Sequence, residues 1–125
     1  MNLLLDTHVL LWWLTDPAKL SRPAREAITN AENLVFVSAA SIWEMTIKSD
    51  LGKLEMPDDL TQQMQAERFE ELPIRISDAR LVATLPAFHR DPFDRMLIAQ
   101  AKNNSLTLVS HDRLVLAYGG RILRA

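Results

Sequence analysis

The 125-residue chain predicts a single α/β domain around a mostly parallel sheet of four to five strands. Three observations carry that prediction. Short apolar runs of strand length alternate with longer segments of helical apolar spacing, the order that βαβ units require. Helix starts carry capping residues and prolines at the offsets where the backbone needs them. The length suits one domain, which at this size buries roughly two thirds of the surface its unfolded chain exposes.

Residues 2–5 form an apolar run fit for a buried parallel strand, and residues 7–15 follow with helical spacing through Val9, Leu10, Trp12 and Trp13. Ser21, Pro23 and Ala24 start a second helix, and Asn33 separates it from a strand at 34–37, completing a βααβ crossover. Ser38 is a good N-cap for a helix reaching Leu51, with Gly52 as its stop. Pro57, Asp58 and Asp59 open a helix to Phe69. Residues 72–76 read as a third strand, Ser77 as the cap of a helix to Leu85, and 86–90 as loop. Asp91-Pro92-Phe93-Asp94 combines an acidic N-cap, a proline at the first helical position and a carboxylate near the positive end of the helix dipole. That helix is expected to reach Lys102, where Asn103 and Asn104 end it. Residues 106–110 make a fourth strand, and Gly119-Gly120 turns the chain into a last strand near Ile122.

Four acidic residues distant in sequence, Asp6, Glu44, Asp94 and Asp112, meet in this scheme. In a parallel α/β sheet the helix N-termini and the strand C-termini share one edge, where ligands bind. Asp6 follows the first strand and Asp112 the fourth; Glu44 lies in the second turn of the helix after the second strand, and Asp94 in the first turn of the helix feeding the fourth. Gathered carboxylates repel and raise one another's pKa, so a fold that collects them is expected to hold a cation. All-oxygen ligation points to Mg²⁺ or Mn²⁺.

Each acid also has an ordinary reading: a loop residue after a strand for Asp6 and Asp112, helix-dipole complementarity for Asp94, a plain N-cap for Asp91. Glu44 resists it most, because it sits among Ile42, Trp43, Met45 and Ile47, where an unpaired carboxylate is costly. Lys48, at i+4, offers a competing helix ion pair. Thr7 and Ser41, beside Asp6 and one turn before Glu44, are candidates for orienting water or phosphate, with local capping as the alternative. Trp12 and Trp13 cannot face the same core from one helix, since neighbours point ~100° apart.

Composition bounds the rest. There is no cysteine, so disulfides and thiolate zinc sites are excluded, and a reducing cytoplasm fits. No Lys or Arg precedes the apolar N-terminal stretch, which Asp6 and His8 interrupt, and no run approaches the ~18 apolar residues of a membrane span. The expectation is a soluble cytoplasmic protein. The net charge is −2, but with the five clustered acids set aside 11 acidic residues face 14 basic ones, a mildly basic remainder compatible with a polyanion. His89-Arg90-Asp91 resembles the start of a kinase catalytic loop, yet no glycine-rich loop or Asp-Phe-Gly accompanies it. Three glycines allow no P-loop, and His8, His89 and His111 lack zinc-helix spacing.

Leu-Leu-Leu-Asp-Thr-His at 3–8, Ser-Ile-Trp-Glu at 41–44, Arg-Asp-Pro-Phe-Asp-Arg at 90–95 and Thr-Leu-Val-Ser-His-Asp at 107–112 together resemble the PIN domain family, and within it the VapC toxins of toxin–antitoxin pairs. The similarity covers essentially the whole chain, as one PIN domain over 1–125. It implies a three-layer α/β/α sandwich and Mg²⁺- or Mn²⁺-dependent endoribonuclease activity, with the family's acidic quartet falling on Asp6, Glu44, Asp94 and Asp112. It also implies an RNA substrate, a homodimer and a small antitoxin whose C-terminal segment approaches the acidic pocket. Arg90, Arg95 and Arg113 adjoin the acidic motifs as candidate phosphate contacts. Three other readings compete: a PIN nuclease of RNA processing or DNA repair without an antitoxin, a Mg²⁺-binding receiver module, and a binding module whose acidic pocket is a relic, against which the complete quartet argues. A receiver relies on a lysine after a late strand, where this chain has His111 and Asp112.

Overall fold

The computed structural model describes all 125 residues. Five strands, β1 (Leu3–Leu5), β2 (Val35–Ser38), β3 (Glu70–Leu72), β4 (Thr107–Ser110) and β5 (Ile122–Arg124), form one sheet in the order β3-β2-β1-β4-β5. Every neighbouring pair is parallel. The helices are α1 (Thr7–Thr15), α2 (Arg22–Thr29), α3 (Ala39–Asp50), α4 (Leu60–Ala66), α5 (Ile76–Val82), α6 (Pro92–Asn103) and α7 (Arg113–Leu116), with one 3₁₀ turn at Pro17–Lys19.

Side-chain alternation on the strands sorts these helices into two layers. Leu3, Leu5, Val35, Val37 and Val109 pack with Val9 and Leu10 of α1, Ala24 and Ile28 of α2, Met45 of α3 and Leu60 of α4. Leu4 and Leu108 turn to the other face and meet Leu97, Ile98 and Ala101 of α6 and Val115 of α7, with Leu81 and Val82 of α5 against the same cluster. Both faces of the sheet are covered, which is why its strands are apolar runs rather than alternating ones. The expected α/β/α sandwich is the observed fold.

Three elements differ from the sequence prediction, the first being α4, which ends at Ala66 rather than Phe69. The third strand is Glu70–Leu72, not 72–76, and α5 starts at Ile76 without Ser77 as its cap. β3 is an edge strand in which Glu70 and Glu71 are exposed and only Leu72 is buried, so it lacks a hydrophobic signal. The α5 N-terminus is closed instead by buried Asp78, whose carboxylate accepts the Arg75 N–H at 2.9 Å and an Asn103 side-chain N–H at 2.8 Å. The short α7 and the 3₁₀ turn have no counterpart in the sequence reading.

The chain adds β2 and β3 on one side of β1, then β4 and β5 on the other. The direction of winding therefore reverses between β1 and β4, which opens a crevice at their carboxyl ends. A receiver-type order of 2-1-3-4-5 is absent, which removes that reading.

Candidate metal centre at the carboxyl edge of the sheet

Four backbone caps and one helix face aim carboxylates at that crevice. Asp6 leaves β1 and caps α1, accepting the Val9 N–H at 2.8 Å; it is only 3% exposed. Ser38 ends β2 and caps α3 through the Ala40 N–H, which sets Glu44 on the buried side of that helix, 4% exposed. Asp91 caps α6, accepting the Phe93 and Asp94 N–H groups at 2.8 and 3.2 Å, and Asp94 follows in the first turn. Asp112 leaves β4 and caps α7 through the Leu114 N–H at 2.8 Å.

All five acids line one cavity of about 550 Å³, with His8, Lys48, His89, His111 and Arg113 completing the wall and no apolar side chain among them. A smaller cavity of about 290 Å³ near the amino ends of β4 and β5, bordered by Lys102, Ser105 and Arg121, has neither carboxylate nor histidine.

Within the cavity Glu44 is fixed at both oxygens. Thr7 donates its hydroxyl to Oε1 at 2.7 Å and Lys48 pairs with Oε2 at 2.5 Å. The i+4 ion pair with Lys48 therefore exists, and Glu44 faces the cavity as well. Thr7 does not itself line the cavity but orients Glu44. Ser41, one turn before Glu44, is fully buried with its hydroxyl unpartnered. Arg90 is exposed and outside the lining; Arg113 is in it.

Arg95 is committed elsewhere. Its guanidinium donates to the carbonyls of Val82, Leu85, Pro86 and His89 and to the Tyr118 hydroxyl, at 2.8 to 3.4 Å. Tyr118 in turn donates to Pro86 at 2.6 Å and accepts the His89 N–H at 3.0 Å. Both terminal nitrogens of the fork are committed to this loop, leaving only the Nε N–H without a partner, so Arg95 shapes the loop that carries His89.

His89 is the residue that sequence reasoning missed. Its Nε2 lies 3.0 Å from an Asp94 oxygen and 2.9 Å from an Asp112 oxygen, while Nδ1 accepts the Asp91 N–H at 3.1 Å. With Nδ1 accepting the Asp91 amide, the ring's donor is Nε2, whose N–H is shared between the two carboxylates. The Nε2 atom and the two carboxylate oxygens lie within 4.8 Å of one another. The available signal was its position two residues before the acidic cap, immediately preceding the Arg-Asp-Pro-Phe-Asp motif.

The electrostatics are those of a site short of positive charge. Burial raises the Asp94 carboxyl to about 7, with Asp91, Asp6 and Glu44 adding to the rise and His89 opposing it. Burial also raises Asp6, against hydrogen bonds from the Ser110 hydroxyl and the Val9 amide. At Asp112 burial pushes upward too, but hydrogen bonds from His89 and the Leu114 and Val115 amides outweigh it and hold the carboxyl below its ordinary range. The hydrogen bond to Glu44 raises the Lys48 ammonium above its usual value.

These residues fit a hard divalent cation. The donors are oxygens, five carboxylates meet with only Lys48 and Arg113 as fixed positive charges in the wall, and the buried Asp94 resists ionisation without further compensation. His89 fits as a donor that holds ligand oxygens, because ligation through Nε2 would force a proton onto Nδ1, against the Asp91 N–H.

Comparison with known proteins identifies the family. The PIN domain family model matches residues 3–119. Ribonuclease VapC22 of Mycobacterium tuberculosis is 33% identical over 115 residues, which span 90% of this chain and 88% of that protein. Among solved structures, VapBC2 from Rickettsia felis bound to a DNA fragment from its promoter superposes with a TM-score of 0.74 at 12% identity, covering 99% of this chain and 98% of that one. DNA-bound VapBC from Salmonella typhimurium gives 0.73 at 18% identity, with the same coverage. The structural matches, at such identities, speak for the fold.

Proposed function

The chain belongs to the PIN domain family, and from that premise we propose that it is a metal-dependent endoribonuclease, the toxin of a toxin–antitoxin pair. One observation carries the reading: Asp6, Glu44, Asp94 and Asp112, supplied by four separate elements, line a single cavity at the carboxyl edge of the sheet. Support also comes from the ribonuclease relative and from VapBC structural neighbours.

Asp6 and Asp94 would hold Mg²⁺ or Mn²⁺, with Glu44 and Asp112 completing the set directly or through water; bound there, the ion would supply charge neutralisation at the attacked phosphate and a more acidic water. The protein residues do the positioning. Thr7 and Lys48 fix Glu44, the Val9 amide fixes Asp6, and the His89 N–H draws Asp94 and Asp112 together. Arg113 at the wall and exposed Arg90 take flanking phosphates, whereas the unpartnered Ser41 hydroxyl is fully buried and outside the cavity's lining. In-line attack by water breaks the P–O3′ bond and leaves a 5′-phosphate and a 3′-hydroxyl.

The same reading gives a cytoplasmic homodimer held inactive by an antitoxin segment at the pocket. No helix is long and apolar enough to cross a membrane.

The test is incubation of the purified chain, free of antitoxin, with pooled cellular RNAs in EDTA, Mg²⁺ or Mn²⁺, beside Asp6→Asn, with mapping of product ends. Metal-dependent cuts that bear 5′-phosphates and vanish in Asp6→Asn are expected. Absence of cleavage with folded protein and either metal defeats the reading.

A further inference from the structure

On the β1–β4 side two histidines of the cavity wall, His8 and His111, stand beside the charged residues and pack on the Trp12 ring just outside it. His8 is the second residue of α1 and Trp12 lies one turn on; His111 follows β4, whose register with β1 pairs Leu5 with Val109 and so brings the two strand ends level. The three rings form a closed group. Trp12 and His111 centroids are 4.6 Å apart, His8 and Trp12 5.9 Å, His8 and His111 6.1 Å, all at tilted or edge-on angles. The Lys19 ammonium sits 6.0 Å from the Trp12 ring centroid.

Two features separate this group from ordinary core packing. Trp12 is half-buried against the core beneath α1 and its ring also meets both histidines, which are exposed. And His8 and His111 are themselves part of the acidic cavity's wall, so the ring group continues the pocket without a break. The Lys19 ammonium borders the group at Trp12, and Asp6, whose carboxylate feels both histidines, borders it on the pocket side.

We propose that His8, Trp12 and His111 form a stacking platform for an unpaired nucleobase adjacent to the phosphate held in the acidic pocket, so that the substrate is single-stranded at the cut. The proposal deepens the nuclease reading and rests on it. A polynucleotide alternates an anionic phosphate with a planar π-face, and here a cation-seeking pocket adjoins aromatic rings bordered by the Lys19 ammonium. Aromatic stacking is tolerant of base identity, so the platform selects strandedness rather than sequence. A base paired in a duplex keeps its faces covered and gains nothing from the platform.

The test measures binding apart from cleavage. Fluorescence anisotropy of a labelled 12-nucleotide oligouridylate is followed with the Asp6→Asn chain in Mg²⁺, against an abasic chain of the same length and an RNA duplex. The single strand is expected to bind at least about tenfold tighter than the abasic chain, and His8→Ala with His111→Ala to remove that advantage. In a chain carrying Trp13→Phe and Trp43→Phe, so that Trp12 is the sole tryptophan, the same oligonucleotide is expected to quench its emission, whereas the abasic chain is not. Equal binding of base-bearing and abasic chains, or unquenched emission from folded protein, overturns the platform even if the native chain cleaves RNA. Base-dependent binding and quenching without any metal-dependent cleavage by the native chain leave the platform standing and defeat the nuclease reading instead.

Discussion

The two halves of the acidic pocket are held in different ways. Asp6 and Glu44 are nearly sealed from solvent, and their oxygens are fixed by partners on regular elements: the Val9 amide, the Thr7 hydroxyl and Lys48. Asp94 and Asp112 are more open; Asp112 keeps a cap bond from the Leu114 amide, but the link that holds the two carboxylates together is one imidazole N–H from a loop. That loop keeps its shape through Arg95 and Tyr118 rather than through a sheet ladder. The inner half is thus a by-product of the fold, built wherever β1, α1 and α3 form. The outer half is a tertiary construction that one side chain can undo.

The largest effect comes from breaking the inner half. Asp6→Asn or Glu44→Gln is expected to lower RNA cleavage by about 10² to 10³-fold or more, the scale of losing a preorganised electrostatic contact, measured as initial rates at saturating Mn²⁺. Each should leave a circular dichroism spectrum like that of the native chain, because Asn and Gln still accept the hydrogen bonds from Val9 and Thr7.

The outer half should respond more gently. His89→Ala removes the shared donor while all four carboxylates remain, and about 10- to 100-fold weaker Mn²⁺ binding by calorimetry is expected. An unchanged affinity would mean that the caps on α6 and α7 place Asp94 and Asp112 unaided.

A pH series sharpens the contrast next. Asp94 has a folded-state pKa of about 7, above its ordinary value of 3.8. The folded protein binds the extra proton between those values, so this contribution is full below about pH 4 and is lost as pH rises through 7. Asp6 acts in the same direction, whereas the lowered Asp112 contributes stability that is lost as pH falls. In EDTA, urea denaturation should show Asp94→Asn losing less stability than the native chain between pH 5 and 8, by on the order of 1 to 2 kcal/mol after solvent screening. Added Mn²⁺ should erase most of that difference, because a bound cation compensates the carboxylates.

The smallest effect belongs to Lys48→Met. Its ammonium is partly exposed and pairs at i+4, so a loss of about 0.5 kcal/mol in thermal or urea unfolding with Mn²⁺ present is expected. A loss of several kcal/mol would move Lys48 into the same structural rank as Thr7.

Much of this was legible because it is local. Asp91-Pro92 fixes the start of α6 through hydrogen bonds to the next two amides, and Ser38 does the same for α3, so both helices begin where the sequence predicts. The buried strands β1, β2 and β4 are short apolar runs and fall within a residue of their expected places. β3 was displaced because an edge strand with two exposed glutamates has no apolar pattern. His89 was hidden for a related reason: a loop residue has no periodicity, and the partners that give it meaning are 5 and 23 positions away.

Sequence by itself determined the α/β class, the parallel order that sends helix starts and strand ends to one edge, and the quartet Asp6, Glu44, Asp94 and Asp112 at that edge. Those features follow from caps, prolines and apolar periodicity, which act within a few residues. Only the tertiary structure decided that Arg95 supports a loop instead of lining the pocket, that His89 joins Asp94 to Asp112, and that His8, Trp12 and His111 pack together. Each of these depends on which side-chain donors and rings arrive together after the chain has closed, and hydrogen-bond satisfaction across long sequence separations is a property of the packed molecule alone.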